Sequence, residues 1–170
     1  RNMLLTGVTG TNGKTSCTQF LAQSFQLLGI KGGVIGTLGY GVLPDLQESG
    51  YTTPDPVMLQ QILAGMAAQG VTRVAVEVSS QGLHQHRVAA IPFHTAVFTN
   101  LTRDHLDYHE SMEEYGEAKK QLFTMPELKV AVVNADDGFA PSILNSLSHR
   151  VRSLTYSLDD HRADVHVREL

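Results

Sequence analysis

The stretch GVTGTNGKTS, Gly7 to Ser16, is rich in glycine, closes on Gly-Lys-Thr and follows a short apolar run. A loop of this composition between a strand and a helix lets backbone N–H groups and the positive end of the helix dipole converge on an anion. The common phosphate-loop pattern, G-x-x-x-x-G-K-[ST], has a glycine where this chain carries Val8. The order of strand, glycine loop, Gly-Lys-Thr and helix is nevertheless kept. The stretch therefore reads as a variant phosphate cradle, with Lys14 reaching the β- and γ-phosphates and the Thr15 hydroxyl on Mg²⁺. A glycine-rich turn with an incidental lysine is the alternative.

Working outward, strand-like and helix-like segments alternate. MLLTGV (3–8) reads as a buried strand and TSCTQFLAQSFQLLG (15–29) as a helix. Cys17, Phe20, Leu21, Ser24, Leu27 and Leu28 fall on one face at 3.6 spacing, which makes that face the expected buried one. GGVIGT (32–37) is a second strand, and the Gly-, Pro- and Asp-containing stretch 39–53 is a loop or hairpin. Asp55-Pro56 is an N-cap with proline at the first helical position, and Met58, Leu59, Ile62, Leu63 and Met66 form the stripe behind it. Further strands are expected at 72–80, 94–100, 129–137 and 150–157, with a short one in the tail 163–170. Ser111-Met-Glu-Glu114 has capping-box spacing and opens a helix to about Phe123, and 140–147 is a short helix.

Short apolar strands alternating with helices imply βαβ units. The fold expected is α/β, a mostly parallel sheet with helices on both faces, of the P-loop NTPase kind. In such sheets ligands bind beyond the carboxyl ends of the strands. The 170 residues amount to about one domain on the usual range of roughly 100–200. Because the chain opens on Arg1 and enters a strand almost at once, residues 1–170 are expected to be one domain of something larger. A net charge of −4 argues against a nucleic-acid partner. No apolar run approaches the roughly 18 residues that span a bilayer, so no membrane partner is expected. The single cysteine, Cys17, suits a reducing compartment and a cytoplasmic setting.

Glu77 and His105 stand at or near strand ends, and Lys119 lies on a helix. Glu77 sits between Val76 and Val78, and a carboxylate in a buried strand is costly unless paired or bound to metal. A second Mg²⁺ ligand facing Thr15 is its expected role, against a plain charge on a solvated strand face. His105 follows the strand ending at Asn100. His109 lies four residues later, but no Cys cluster or HExxH arrangement supports zinc. His109 is expected in a surface or satisfied polar role, and His105, nearer the ligand edge, is the better candidate ligand. Lys119 follows Tyr115 by four in YGEAKKQLF, and helical spacing alone makes it a solvated lysine.

Together, GVTGTNGKT, AVEVSSQGLHQHRV, TNLTRDHLDYH, YGEAKKQLF and VVNADD resemble the central ATPase domain of the Mur ligases, over nearly the whole chain. That family's phosphate loop is T-G-[TS]-N-G-K-[ST], matched throughout by Thr9 to Thr15. The resemblance implies that Gly10, Thr11, Asn12, Gly13, Lys14, Thr15 and Ser16 hold ATP. It puts Thr15 on one Mg²⁺, Glu77 toward the metals and His105 on the second. Lys119 falls where the family carries an N-carboxylated lysine, whose carbamate is an anionic oxygen ligand for a hard cation. Forming it needs a neutral amine, hence a lowered lysine pKa. Thr52, Thr53, Ser79, Gln85 and Arg87 fall where the family binds its UDP-muramoyl-peptide. Tyr51 replaces a frequent Asn and carries no implied contact. Asn134 and Asp137 match the NADD segment near the nucleotide.

The nearest members add a diamino acid to UDP-N-acetylmuramoyl-L-alanyl-D-glutamate, so both compounds are the implied partners. The implied reaction is ATP-dependent amide formation through an acyl phosphate, catalysed by a monomer. The family's N-terminal uridine-binding and C-terminal amino-acid domains have no counterpart here, so residues 1–170 alone are expected to be inactive. Three rivals stand beside this reading. A P-loop kinase or GTPase would leave SSQGLHQHR without a role. A sister ligase, such as folylpolyglutamate synthase or another Mur step, shares the loop. A domain that only binds nucleotide is the third.

Overall fold

The computed structural model describes residues 3–104 and 107–168. Nine strands form one sheet: β1 (Leu4–Thr9), β2 (Gly32–Gly36), β3 (Gly39–Val42), β4 (Asp45–Gln47), β5 (Arg73–Glu77), β6 (Phe93–Phe98), β7 (Val130–Asn134), β8 (Arg152–Ser157) and β9 (Val165–His166). Their order across the sheet is β4-β3-β2-β5-β1-β6-β7-β8-β9. From β2 to β9 every pairing is parallel, and β3 and β4 add an antiparallel hairpin at one edge. The expected α/β architecture is therefore present, and the 39–53 stretch holds a hairpin. β1 lies between β5 and β6, so the chain reverses its direction of growth across the loop that follows β1. That switch point is where such sheets bind ligands.

The helices are α1 (Lys14–Leu27), α2 (Pro56–Ala68), α3 (Ser80–His84), α4 (Met112–Lys120), continued by a 3-10 turn at Gln121–Thr124, and α5 (Ala140–Ser146). Adjacent residues of β2 show that both faces are covered. A Cβ on Gly32 would lie 2.5 Å from the Phe25 ring of α1, and one on Gly33 would lie 2.8 Å from Met66 Sδ of α2. The large apolar cluster belongs to the α2 face, where Ile35, Val76, Phe98 and Val133 meet Leu59, Leu122 and Ile143. Each such buried side chain contributes about 1.5–3 kcal/mol.

Two expectations are corrected. The stripe on α1 is not its buried face: Phe20 is 65% exposed, Leu27 88% and Leu28 73%, whereas Thr18 and Ala22 are buried. Small side chains let α1 approach the sheet closely, and closeness, rather than apolar periodicity, decides the orientation. The apolar flank, with Cys17, Phe20 and Leu21, instead borders an open groove against Leu4, Val97 and Val132. The strand expected at 72–80 stops at Glu77, because the Ser79 hydroxyl accepts from Gly82 N at 3.1 Å and caps α3.

The cap expected at Asp55 is formed: its carboxylate accepts from Val57 N at 2.9 Å and Met58 N at 3.0 Å. Replacing it, Asp55→Ala, is expected to cost about 1 kcal/mol of stability. Chemical denaturation should show a lower midpoint with an unchanged slope.

Candidate functional site

Every strand at the switch point delivers a polar group to the carboxyl edge of the sheet. The loop after β1 is held against the end of β6. Thr11 N donates to Asn100 O at 2.8 Å, Asn12 N to Asn100 Oδ1 at 2.9 Å, and Thr99 Oγ1 to Asn12 O at 2.6 Å. Gly10 (φ 150) makes this approach possible, since a Cβ there would sit 1.8 Å from Thr99 Oγ1. Gly13, at φ 84, turns the chain into α1 and offers no side-chain cap. The first-turn N–H groups of a fourteen-residue helix thus face the loop without a side-chain acceptor. Phosphate oxygens fit such a cradle.

Lys14 Nζ is folded back on the loop, donating to Gly10 O at 2.9 Å and Thr11 O at 2.8 Å. Burial lowers its pKa, opposed by the charges of Glu77 and Asp104. Glu77, 1% exposed at the end of β5, is placed where the sequence reading put it, facing Thr15. Its carboxylate accepts from Thr15 Oγ1 at 2.9 Å, Thr37 N at 3.0 Å and Thr37 Oγ1 at 3.1 Å. Those hydrogen bonds satisfy a group that would otherwise be costly to bury. The Thr15 hydroxyl gives its proton to Glu77, leaving its lone pairs and the carboxylate as oxygen donors for a hard cation. Among the described residues no three His, Cys, Asp or Glu side chains converge. The hydroxyl and carboxylate oxygens of Thr15 and Glu77 are of the type that Mg²⁺ takes beside waters and phosphate oxygens. His105, the other expected ligand, lies outside the described residues.

Lys119 corrects the reading from helical spacing: it is 1% exposed. Tyr115, Gly116, Ala118 and Lys119 of α4 are all buried, because α4 packs beneath the phosphate loop and the Phe139 ring lies against Gly116. Lys119 Nζ donates to Gly10 O at 3.0 Å and stands 4.1 Å over the Tyr115 ring. Burial first, then the Lys14 charge, lowers its pKa to about 7, against a smaller opposing pull from Asp104. Near neutral pH much of this amine is uncharged.

The expected substrate positions form one connected group on the β5 side. Thr52 Oγ1 lies 3.0 Å from Thr37 Oγ1. Thr53 Oγ1 donates to Glu77 O at 2.9 Å and accepts from Ser79 N at 3.0 Å. Arg87 Nη1 donates to Thr53 O at 2.9 Å, and its Nε to Gln85 Oε1 at 2.9 Å. Ser16 is exposed on the first turn of α1. Asn134 braces the site, with Nδ2 donating to Thr99 O at 2.8 Å, and Asp137 accepts from Leu101 N at 2.7 Å. His109 is buried, its Nε2 2.9 Å from Ser80 Oγ and its Nδ1 4.0 Å from Glu114 Oε1.

Sequence reading missed Thr37, which ties Glu77 to Thr52, and Thr99 with Asn100, which hold the loop. Their one signal is position: each closes an expected strand, at the edge where ligands bind. The model of the Mur ligase middle domain matches residues 8–170. The chain belongs to the Mur ligase family. It is 51% identical over 162 residues to the UDP-N-acetylmuramoyl-L-alanyl-D-glutamate–2,6-diaminopimelate ligase of Coxiella burnetii, covering 95% of this chain and 33% of that protein. It is 54% identical over 160 residues to the ligase of the same name from Chromobacterium violaceum, covering 94% and 32%. A solved structure of a ligase of that name superposes with a TM-score of 0.94 at 40% identity, over 100% of this chain and 35% of that one. This Mur ligase domain thus spans about a third of the length of the relatives it matches.

Gly36 tests the geometry around Glu77. A Cβ at Gly36 would lie 2.1 Å from Glu77 Oε1, the movable end of a side chain. Gly36→Ala would push that buried, hydrogen-bonded carboxylate off Thr15 and Thr37, so the melting temperature is expected to fall while the protein still folds. Thermal denaturation of the Gly36→Ala variant beside the unsubstituted protein checks it.

Proposed function

We propose that this chain is the nucleotide-handling part of an ATP-dependent ligase joining 2,6-diaminopimelate to UDP-N-acetylmuramoyl-L-alanyl-D-glutamate. One observation carries the reading. A hydrogen-bonded series from Thr15 through Glu77 and Thr37 to Thr52 connects the phosphate loop to the substrate group of Thr53, Gln85 and Arg87. A phosphoryl donor and a carboxylate acceptor would thus be held side by side. The names of the relatives supply the identity of that acceptor and of the amine. A kinase or GTPase gives the Thr53–Arg87 group no task, and a sister ligase is disfavoured by the shared name of relatives at about half identity.

Here Gly10 to Ser16 would cradle the ATP phosphates, and Lys14 would leave the carbonyls of Gly10 and Thr11 to bridge them. Thr15 and Glu77 would hold Mg²⁺, joined by His105 and by Lys119 as its carbamate. Bound Mg²⁺ supplies charge neutralisation on the phosphoryl oxygens as they separate from ADP. Arg87, Gln85, Ser79 and the Thr52–Thr53 pair would orient the muramoyl-dipeptide so that its D-glutamyl γ-carboxylate oxygen faces the γ-phosphorus. That oxygen attacks the γ-phosphorus and the bond to ADP breaks; the amine nitrogen then attacks the acyl carbon of the acyl phosphate, expelling inorganic phosphate and releasing a proton. Dependence on ATP, together with the free Cys17, suits the cytoplasm.

In the full-length protein, ADP and phosphate release should require UDP-muramoyl-dipeptide and 2,6-diaminopimelate together. Equal release with L-lysine, or with neither amine, would overturn the assignment of the amine.

The carbamate makes a separate prediction. Lys119→Ala should abolish ligation, and added acetate or formate should restore part of it by occupying the vacated ligand position. Because the folded-state pKa is lowered to about 7, the reactive neutral amine accumulates as pH rises through that value. Reactivation of CO₂-depleted enzyme by bicarbonate should accordingly be faster above pH 7 than below it. An active Lys119→Ala variant would refute the role.

A further inference from the structure

The segment that follows β6 ends in Tyr108 and His109, and neither residue has a task in the chemistry above. Both are built into the protein between the two halves of the site. The Tyr108 hydroxyl accepts from Gln85 Nε2 at 3.0 Å and lies 2.9 Å from His84 Nδ1. Having accepted from Gln85, it can give its own proton to the histidine nitrogen. Its ring meets His84 edge-on at 5.6 Å and His109 at 4.8 Å. His109 in turn is 1% exposed, bonded to Ser80 at the start of α3, with its ring 5.2 Å from Tyr115. Tyr115 closes the series, donating from its hydroxyl to Thr11 Oγ1 at 3.2 Å beneath the phosphate loop.

Gln85 needs such support. It follows α3, a helix of only five residues, and its neighbour His86 takes φ 56, outside the regular helical region. Gln85 Oε1 is the acceptor for Arg87, so the direction of the guanidinium depends on where the Gln85 amide is held. Two of the groups that fix the amide are known: Arg87 on its oxygen and Tyr108 on its nitrogen. We propose that Tyr108, seated by His109 on Ser80, is a positioning residue that sets Gln85 and Arg87 for the acidic, nucleotide-linked substrate. The proposal rests on the ligase reading above, and it adds a residue that acts on substrate binding through Gln85 rather than by touching the reacting atoms.

Tyr108→Phe in the full-length protein tests it. The ring stays between His84 and His109, so the melting temperature should not move. Loss of the hydroxyl should raise KM for UDP-muramoyl-dipeptide about tenfold, with KM for ATP unchanged. Since Tyr108 acts through Gln85, the double variant Tyr108→Phe/Gln85→Ala should bind the dipeptide no worse than Gln85→Ala alone. An unchanged KM for the dipeptide, additive effects in the double variant, or a parallel rise in both KM values with a lower melting temperature would each overturn the proposal. Absence of turnover with this substrate in the unsubstituted protein would instead refute the ligase reading, and the proposal with it.

Discussion

Gly10 passes over Thr99 with room for a hydrogen and nothing larger. That contact fixes the phosphate loop to the end of β6, and hydrogen bonds from Thr11, Asn12 and Thr99 lock it there. With the loop held at one strand end, α1 must start close above the sheet, so its inward face is Thr18 and Ala22. Its larger apolar residues are pushed to the flank. The same placement brings Thr15 over the end of β5, where Glu77 is waiting, and leaves Gly10 O as the acceptor for two lysines. A close backbone approach therefore organises helix orientation, the meeting of Thr15 with Glu77, and the placement of both lysines together.

The charges collected at this edge are poorly solvated and only partly balanced. Glu77 is sustained by hydroxyl and amide donors, and Lys14 and Lys119 by carbonyls of the loop. Two ammonium groups on one carbonyl oxygen repel each other, and burial disfavours both. The strain of that arrangement falls most heavily on Lys119, whose pKa drops to about 7. In the proposed ligase, converting that amine to an anion and seating phosphates on the loop would each relieve the excess of positive charge. Groups that weaken the unliganded protein are thus the ones the chemistry would use, as is usual where perturbed ionisation marks a site.

Much of this was legible in the residues. Alternating strands and helices gave the α/β class, and Asp55-Pro56 and Ser111–Glu114 marked two helix starts, because caps and prolines act through neighbours in sequence. Glu77 was found because a carboxylate within a valine run demands a partner. The misses share a cause. Lys119, the buried face of α1 and the end of β5 at Glu77 each depend on what lies opposite, and periodicity assumes that an apolar stripe finds the core and a lysine finds water.

By itself the sequence determined local features: which segments are strands and helices, where they are capped, and that Gly7–Ser16 is a glycine loop joining a strand to a helix. A family pattern in the same residues pointed to the partners of that loop. The tertiary structure decided which distant residues meet. Thr37 reaches Glu77 across forty positions, Asn100 reaches Asn12 across eighty-eight, and Lys119 reaches Gly10 across one hundred and nine. Such pairings arise from the strand order of a parallel sheet, in which neighbours are set by crossover connections, and no periodicity along the chain encodes that order.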